Sequence, residues 1–393
     1  MYELRKDGDR DLVRSWASDI EDGTMRQAER SARSPAVAGP IALMPDAHFG
    51  LGATIGSVIP TETAIIPAAV GVDVGCGMVA VETTLDASDL PTKLDPILDA
   101  VHTEIPAGFA KRDSISTPAW RWLDTNPVPR PDELTTSQLR KVGAQLGTLG
   151  GGNHFVEICL DERDVVWAVL HSGSRGTGNL LATRHIRKAQ GLTQKLSRHV
   201  EDRDLAYFLD TDPEFNAYIT DMLWSQDYAL RNRELMMDAL LKVMKEHIST
   251  PFRAKTRINC HHNYTERETH DGRELWITRK GAIRARVGDR GIIPGSMGTG
   301  TYIVTGLGES SSYQSASHGA GRRFGRKEAK RRFSTDEFKA KMIGRTWQSD
   351  KANDLLDESP MAYKDIDQVM RDQADLVHVD HVLHAVLNYK GTG

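Results

Sequence analysis

The sequence has few cysteines and no long apolar run. Its 393 residues include three cysteines, Cys76, Cys159 and Cys260, and this small, odd number excludes a disulfide framework and fits reduced thiols. No stretch of about 18 apolar residues is present, which excludes a transmembrane helix. The first seven residues are rich in charge and lack the apolar core of a signal peptide. We therefore expect a cytoplasmic protein that does not associate with a membrane.

Two motifs of nucleotide-using enzymes are also missing. The sequence contains no Gly-x-x-x-x-Gly-Lys-Ser/Thr, which excludes a P-loop NTPase. It lacks Lys-x-Asp-Gly, the motif of lysine-nucleotidyl ligases, so any nucleotidyl transfer here needs a different nucleophile. Residues 75–80 match a dinucleotide fingerprint only weakly, because the residues that follow predict a strand where the fingerprint requires a helix.

The composition is that of a globular protein, with 39% hydrophobic and 26% charged residues. The formal net charge of −4 gives no overall attraction to polyanions, so a nucleic-acid partner would need a local basic patch. The unusual features are 34 glycines and 14 histidines. They occur together in four blocks, and these blocks carry the candidate chemistry.

Strand and helix patterns alternate along the chain without an internal repeat or an interdomain linker. We therefore predict an α+β fold in a single intertwined domain, residues 1–393, with central β-sheets flanked by helices and a mainly helical segment at about 179–250. The proline-rich residues 117–131 predict an exposed loop. Strand patterns cover 41–85, 139–160, 165–170 and 257–308, and helical patterns cover 93–104, 179–247, 321–341 and 362–386.

The first block comprises residues 44–50 and 71–78. In its second part Asp73 and Cys76 follow a predicted apolar strand, 65–72, and stand among glycines. A carboxylate and a thiolate in one tight turn are typical of a transition-metal site. Taken alone, the pattern favours a buried cysteine and an aspartate in a turn over a metal site.

The second block places His154 and His171 at junctions between β-branched segments and glycine loops. Serial glycines let backbone N–H groups approach an anion, so residues 150–153 and 172–178 are candidate phosphate cradles. A glycine loop is more often only a turn, but a histidine beside each loop favours a site.

The third block ends a predicted strand with His261 and His262. Neighbouring side chains of a strand face opposite ways, so only one of the two is expected in a common site. We expect it to be His262, which precedes Asn263, and we expect His261 to be structural or exposed.

The fourth block places His318 before a glycine-spaced turn that opens the basic run 322–332. A histidine at a helix start with cations nearby suits attack on phosphorus, because the helix N-terminus and the arginines stabilise the phosphoryl oxygens. The alternative is a turn-capping histidine beside a solvated charged face. His378, His381 and His384 recur every third residue on a predicted helix, which is compatible with metal binding, but we favour an exposed polar stripe there.

Taken together and in order, these blocks resemble the RtcB family of RNA-splicing ligases, and its bacterial branch in particular. The resemblance extends from residue 44 to residue 390, nearly the whole chain. It is carried by Gly71-Val-Asp-Val-Gly-Cys-Gly, Leu146-Gly-Thr-Leu-Gly-Gly-Gly-Asn-His-Phe-Val-Glu, Leu170-His-Ser-Gly-Ser-Arg-Gly, Cys260-His-His-Asn-Tyr, Pro294-Gly-Ser-Met-Gly and Ser317-His-Gly-Ala-Gly-Arg.

The resemblance implies a role for each of these positions. Asp73, Cys76, His154, His171 and His262 would hold two manganese ions, with Cys76 shared between them, and His318 would be the nucleophile that accepts GMP. Thr301 stands where the family more usually has serine, which keeps the hydroxyl. The residues expected around the guanylate are Asn153, His154, Phe155, Val156, Glu157, His262, Asn263, Pro294, Gly295, Ser296, Met297, Thr301, His318, Gly319, Ala320, Gly321, Tyr363 and Lys390.

The implied reaction joins an RNA 3′-phosphate or 2′,3′-cyclic phosphate to a 5′-hydroxyl, consuming GTP through a histidine–GMP adduct and an RNA-ppG end. The same ligand set would also suit zinc. Basic side chains at 184–188, 279–290 and 322–332 are candidates for RNA phosphates. An archease-like activator is a further candidate partner, and we expect a monomer. A metal-dependent phosphoesterase acting on RNA ends is the alternative enzyme, and an RNA-binding protein that has lost catalysis is a third reading.

Overall fold

A computed structural model describes residues 1–108, 112 and 114–391. The described residues form ten α-helices, which are α1 Asp22–Ala32, α2 Pro67–Val70, α3 Asp95–Glu104, α4 Thr117–Thr125, α5 Thr136–Gln145, α6 Arg175–Lys195, α7 Pro213–His247, α8 Arg326–Arg332, α9 Thr335–Lys341 and α10 Ile366–Asp372. Short 3₁₀ turns lie at Ala87–Asp89, Pro131–Glu133, Arg203–Leu205, Ser310–Ser312, Ser349–Lys351, Leu356–Glu358 and Pro360–Ala362.

The strands of the described residues vary from two to fourteen residues in length. In chain order they are β1 Glu3–Asp7, β2 Arg10–Ser15, β3 Ile41–His48, β4 Ile55–Thr61, β5 Ala64–Ile65, β6 Gly77–Asp86, β7 Phe155–Leu160, β8 Val165–Ser172, β9 Phe208–Leu209, β10 Ala254–His261, β11 Asn263–His270, β12 Arg273–Lys280, β13 Ala282–Arg284, β14 Arg290–Pro294, β15 Thr301–Gly306, β16 Ser315–Ser317, β17 Thr346–Trp347 and β18 Val377–Lys390.

Two large sheets form the centre of the fold. The eight-stranded sheet runs β10-β6-β8-β7-β18-β15-β14, with β17 paired to β18, and β14 lies near β10, so that this sheet nearly closes on itself. The six-stranded sheet runs β1-β2-β3-β4-β12-β11. The chain passes directly from β10 of the first sheet to β11 of the second through His262, so this residue lies at the junction of the two sheets.

The helices cover the sheets and complete the apolar core. Helices α3 and α7 pack on the eight-stranded sheet, where Val101, Met236 and Leu240 meet Val79 and Leu170 of the strands. The predicted α+β fold, with central sheets flanked by helices, is thereby confirmed. Among the described helices, none combines the length and the apolar character that a bilayer crossing requires.

The strongly periodic helical segment was predicted well, and several shorter elements were not. Residues 179–247 correspond to α6 and α7 with a connecting segment between them. Residues 117–125, predicted as loop, form α4, because the Ser116 side chain accepts a hydrogen bond from Ala119 N and Pro118 lies in the first turn, where its missing N–H costs nothing. The predicted strand pattern 139–160 is wrong at its start, because residues 136–145 form helix α5 with a capping box at Thr135.

Two further predictions of element type were wrong. The predicted strand 65–72 instead contains the short helix α2, which starts at Pro67 and ends at Val70. The predicted helix 362–386 contains the short helix α10 and then the long strand β18, which is paired on both sides, to β15 and to β7. The alternating valines at 377 and 379 suit a strand with two paired edges better than a helix.

Candidate active site

A cleft of about 450 Å³ opens where the two sheets meet. Its walls come from the loop before β6, the starts of β7 and β11, the ends of β8, β12 and β14, and the turn after β16. These strand ends converge because β6, β8 and β7 are direct neighbours, with Met78 paired to His171 and Phe155 paired to His171. The pairing brings residues far apart in the sequence into one site.

Five potential metal ligands meet at this cleft, and four of them line it: Asp73, Cys76, His171 and His262. Cys76 Sγ lies 3.4 Å from His154 Nε2 and 3.2 Å from His171 Nε2. His171 Nε2 lies 3.2 Å from His262 Nε2, and His154 Nε2 lies 3.1 Å from Asp73 Oδ2. The atoms form two ligand groups, Cys76–His171–His262 and Asp73–Cys76–His154, and Cys76 belongs to both.

The hydrogen bonds of the histidines are those expected of metal ligands. His154 Nδ1 donates to Leu149 O at 2.9 Å, and His171 Nδ1 donates to Asn153 O at 3.1 Å, since a carbonyl oxygen only accepts. In the neutral rings each Nε2 therefore presents a lone pair to the cluster. Several lone pairs then point at one another without protons between them, and they repel. A bound cation would remove that repulsion.

Burial sets the protonation state of these ligands. It lowers the pKa of His171 and of His262 well below the ordinary range, and neighbouring imidazoles add to the effect. Burial raises the pKa of the Cys76 thiol, and the nearby Asp73 carboxylate raises it further. The imidazoles of His171 and His262 are thus already in the ligand form, whereas the thiol needs a cation beside it to ionise.

His318 lies beside the cluster and is held by a buried carboxylate. Its Nδ1 lies 2.6 Å from Oδ2 of Asp46, which is fully buried, and the same oxygen accepts from the backbone N–H groups of His318 and Gly319, both at 3.2 Å. The His318 and His262 rings are 4.9 Å apart between centroids. A carboxylate at Nδ1 favours the tautomer that leaves the Nε2 lone pair free for attack.

The residues that the resemblance assigns to the guanylate fall into three places. His154 belongs to the metal-ligand cluster. The side chain of Val156 faces away from the cleft into the core, because side chains alternate along β7. The others line the cleft: Asn153, Phe155, Glu157, His262, Asn263, Pro294, Gly295, Ser296, Met297, Thr301, His318, Gly319, Ala320, Gly321, Tyr363 and Lys390.

Glu157 lies in this lining and is only 4% exposed. Its Oε1 accepts a hydrogen bond of 2.5 Å from Asn388 Nδ2. Burial raises the pKa of Glu157 to about 7, although the Asn388 hydrogen bond and the positive charge of Lys390 lower it. This carboxyl group therefore titrates near neutral pH inside the cleft.

A second buried carboxylate, Glu358, forms ion pairs with three cationic side chains that line the cleft. It accepts from Lys390 Nζ and from the Tyr363 hydroxyl, both at 2.6 Å, and it pairs with Arg322 and Arg326. Burial alone would raise the pKa of Glu358, but these cations outweigh it and hold the pKa at about 2. Glu358 is therefore ionised at all physiological pH values and fixes these side chains.

Several residues of the cleft were not found from the sequence. Asp46 belongs to the first glycine block, but nothing near it in the sequence indicates its partner His318, 272 residues away. Lys280, whose Nζ donates to Ala68 O at 3.0 Å, lines the cleft, and burial lowers its pKa to about 8. No sequence pattern near Glu358 indicates its role, because its partners come from β18 and from the segment before α8.

The structure divides the candidate RNA-binding cations into buried and exposed groups. Arg279 is fully buried against Glu268, and Arg184 pairs with Glu133. Arg322 lines the cleft and is tied to Glu358. The predicted helix start directly after His318 is wrong, since α8 begins eight residues later at Arg326. The exposed basic residues near the cleft are Arg323, Arg326, Lys327, Lys330, Arg331 and Arg332.

Of the remaining histidines, His48 lines the cleft, whereas His261 and the C-terminal trio lie outside its lining. His261 Nδ1 is 2.8 Å from Gly75 O and contacts Arg233, which gives it a structural place behind the site. The C-terminal trio lies on strand β18, not on a helix. Of that trio, His381 meets Asp161 and Glu162, but the Asp161 carboxylate is already bound by Arg163 and by Trp167 Nε1.

Fold and site together define a class of protein: an α+β chain whose cleft combines a metal-capable Asp/Cys/His cluster with a carboxylate-supported histidine. Comparison with known proteins identifies the family. The family model "tRNA-splicing ligase RtcB" matches residues 27–391. The chain therefore belongs to the RtcB family.

Similar proteins cover nearly the whole chain. The chain is 45% identical to an RNA-splicing ligase RtcB1 of Escherichia coli, over 96% of this chain and 97% of that protein. It is 44% identical to the RNA-splicing ligase RtcB of Escherichia coli strain K12, with the same coverage. A tRNA-splicing ligase RtcB of Nanoarchaeum equitans is 28% identical over 94% of this chain and 93% of its own length.

Proposed function

We propose that this protein is a GTP- and manganese-dependent RNA ligase. It joins an RNA end bearing a 3′-phosphate or 2′,3′-cyclic phosphate to an end bearing a 5′-hydroxyl. One observation carries the proposal: the carboxylate-held His318 lies in the same cleft as the Asp73–Cys76–His154–His171–His262 cluster, with the His262 and His318 rings 4.9 Å apart. A nucleophile and a metal site at this spacing suit phosphoryl transfer.

In the first step His318 Nε2 attacks the α-phosphorus of GTP and pyrophosphate leaves. Asp46 keeps the ring proton on Nδ1 and stabilises the positive charge that the ring gains as the N–P bond forms. Two manganese ions held by the Asp73–Cys76–His154 and Cys76–His171–His262 groups would supply charge neutralisation on the phosphoryl oxygens. The product is GMP bonded to His318 Nε2.

In the second step an oxygen of the RNA 3′-phosphate attacks the phosphorus on His318. The N–P bond breaks, Nε2 regains its lone pair, and the RNA carries a 3′-ppG end. The RNA 5′-hydroxyl then attacks the 3′-phosphorus, loses its proton and expels GMP. A 2′,3′-cyclic phosphate must first be hydrolysed to the 3′-phosphate in the same cleft.

The chain's own side chains bind and orient these substrates. We propose that Glu157 receives the N–H groups of the guanine edge, and that Lys390 and Tyr363, fixed by Glu358, lie against the nucleotide. The exposed basic residues of 323–332 lie next to the cleft and suit RNA phosphates. A thiolate ligand also requires a reducing compartment, which supports a cytoplasmic location.

The test is incubation with α-labelled GTP and Mn²⁺ in the absence of RNA. The wild-type protein should form an acid-labile, alkali-stable labelled adduct, as a phosphoramidate does, and His318→Ala should form none. His381→Ala, which removes a histidine outside the cleft, should label like the wild type. A wild-type protein that binds the metal and forms no adduct contradicts ligation through His318 and supports hydrolysis of RNA-end phosphates instead.

A further inference from the structure

The loop between β3 and β4 exposes two large apolar side chains beside the cleft. Phe49 is 60% exposed and Leu51 is 80% exposed. Leu51 also forms part of the cleft lining, as does the preceding His48. Apolar side chains this exposed contribute little to folding, since most of their surface stays in water.

The loop holds these side chains in place by buried contacts. The Gln27 side chain, which is 4% exposed, accepts from Gly50 N at 3.2 Å and donates to Gly50 O at 2.7 Å. The Lys280 ammonium group donates to Leu51 O. Gly50 and the backbone of Leu51 are therefore both fixed by hydrogen bonds. They hold the neighbouring Phe49 in a defined position.

The loop that carries Phe49 and Leu51 is connected to His318 through strand β3. The loop follows strand β3, and Asp46 of that strand contacts His318 Nδ1. The RNA strand with the 3′-phosphate must bring that phosphate to the phosphorus on His318. Its last nucleotide must then lie at the rim beside His318, where cationic Lys280 and Arg322 line the cleft and the apolar pair stands outside it.

We propose that Phe49, with Leu51 beside it, is the stacking surface for the terminal base of the 3′-phosphate RNA strand. The inference rests on the proposed ligase function and assigns that function's substrate a subsite. A pre-positioned aromatic ring next to cationic groups is the arrangement by which proteins hold unpaired RNA, with the ring taking the base and the cations taking the phosphate. Because every base has a π-face, this contact selects an unpaired end rather than a sequence.

The experiment measures GMP transfer from His318 to a 3′-phosphate RNA strand, normalised to the amount of His318–GMP adduct in each preparation. Phe49→Ala should raise the KM for this strand roughly ten-fold or more, the range of one base–aromatic stack. Phe49→Tyr, which keeps the ring, should restore the wild-type value. Trp120→Ala removes another exposed aromatic side chain, on α4 outside the cleft lining, and should change nothing.

A strand with an abasic last nucleotide separates stacking from a structural effect. The wild type should lose the same factor on this strand, and Phe49→Ala should lose nothing further, because the partner base is gone. If the losses caused by Phe49→Ala and by the abasic nucleotide are independent and multiply, the proposal is overturned. It is also overturned if the effect of Phe49→Ala is coupled instead to an abasic nucleotide on the 5′-hydroxyl strand. A wild-type protein without any adduct is a different result, since it overturns the ligase function itself.

Discussion

At the residue scale, one carboxyl group in the cleft, that of Glu157, changes its protonation state near neutral pH. Burial raises the pKa of Glu157 to about 7, so the group changes from a hydrogen-bond donor to a pure acceptor across neutral pH. The guanine edge presents two N–H donors, which suit the ionised form. The adenine edge presents an acceptor nitrogen at the corresponding position, which the protonated form can satisfy.

We therefore predict that preference for GTP over ATP depends on pH. The ratio of adduct formation rates from labelled GTP and ATP should rise roughly ten-fold between pH 6 and pH 8, the worth of one hydrogen bond to a charged group. Glu157→Gln, which carries both a donor and an acceptor at every pH, should show a small and constant ratio. Glu162→Gln, outside the cleft lining, should follow the wild type, and a flat wild-type ratio contradicts the role of Glu157.

The residues of the candidate site differ in how far the sequence reveals them. Glycines beside Asp73, Cys76, His154 and His171 mark the candidate ligands locally, and the structure brings these residues together. Asp46 and Glu358 carry no such mark, because a buried carboxylate is defined by its partners. Those partners, His318 and Lys390, are brought close only by the folded sheets.

At the scale of elements, one 3₁₀ turn beside the cleft connects a helix to a strand. Glu358 ends a 3₁₀ turn and joins Arg326, the first residue of α8, to Lys390, the last residue of β18. The depressed pKa of Glu358 means that its charge stabilises the fold wherever it is ionised. That contribution is complete above pH 4.5, the ordinary value, and is lost as the pH falls toward 2.

Glu358→Gln should reduce the free energy of unfolding at pH 7 by about 3 kcal/mol, which corresponds to the shift of the Glu358 pKa from 4.5 to about 2. Urea unfolding of both proteins from pH 7 to pH 3 measures the effect, and most of the difference should be gone at pH 3. The exposed pair of Glu328 with Arg332 on α8 provides the control. Glu328→Gln should cost less than about 1 kcal/mol, and a pH-independent difference for Glu358→Gln contradicts its ionised role.

Elements with a strong local pattern were predictable, and elements defined by distant pairing were not. The apolar spacing of α7 is visible over 35 residues. Strand β18 owes its conformation to β15 and β7, and its partner Leu160 in β7 is 224 residues from His384. Helix α2 is a different case, because Pro67 starts a single turn of helix within residues whose apolar pattern predicted a strand.

At the scale of the whole molecule, the metal-ligand cluster bridges the two sheets. Cys76, His154 and His171 come from the ends of strands in the eight-stranded sheet, whereas His262 lies at the passage to the six-stranded sheet. A metal held by the Cys76–His171–His262 group therefore binds only the assembled fold. Such binding stabilises the folded state by mass action.

We predict that Mn²⁺ raises the Tm of the protein by several degrees when present at about 100 times its Kd. Because Cys76 belongs to both ligand groups, Cys76→Ala should abolish the shift and leave almost no bound manganese after dialysis. Asp73→Asn affects one group only and should keep about half of the manganese. Equal manganese contents in the two variants contradict a shared thiolate.

The position of β18 has a consequence for synthesis. This strand is inserted between β7 and β15, so the eight-stranded sheet stays open along that seam until residues 377–390 arrive. Lys390, which lines the cleft, then places its ammonium group against Glu358. A nascent chain thus lacks the complete cleft lining until residue 390 has been added.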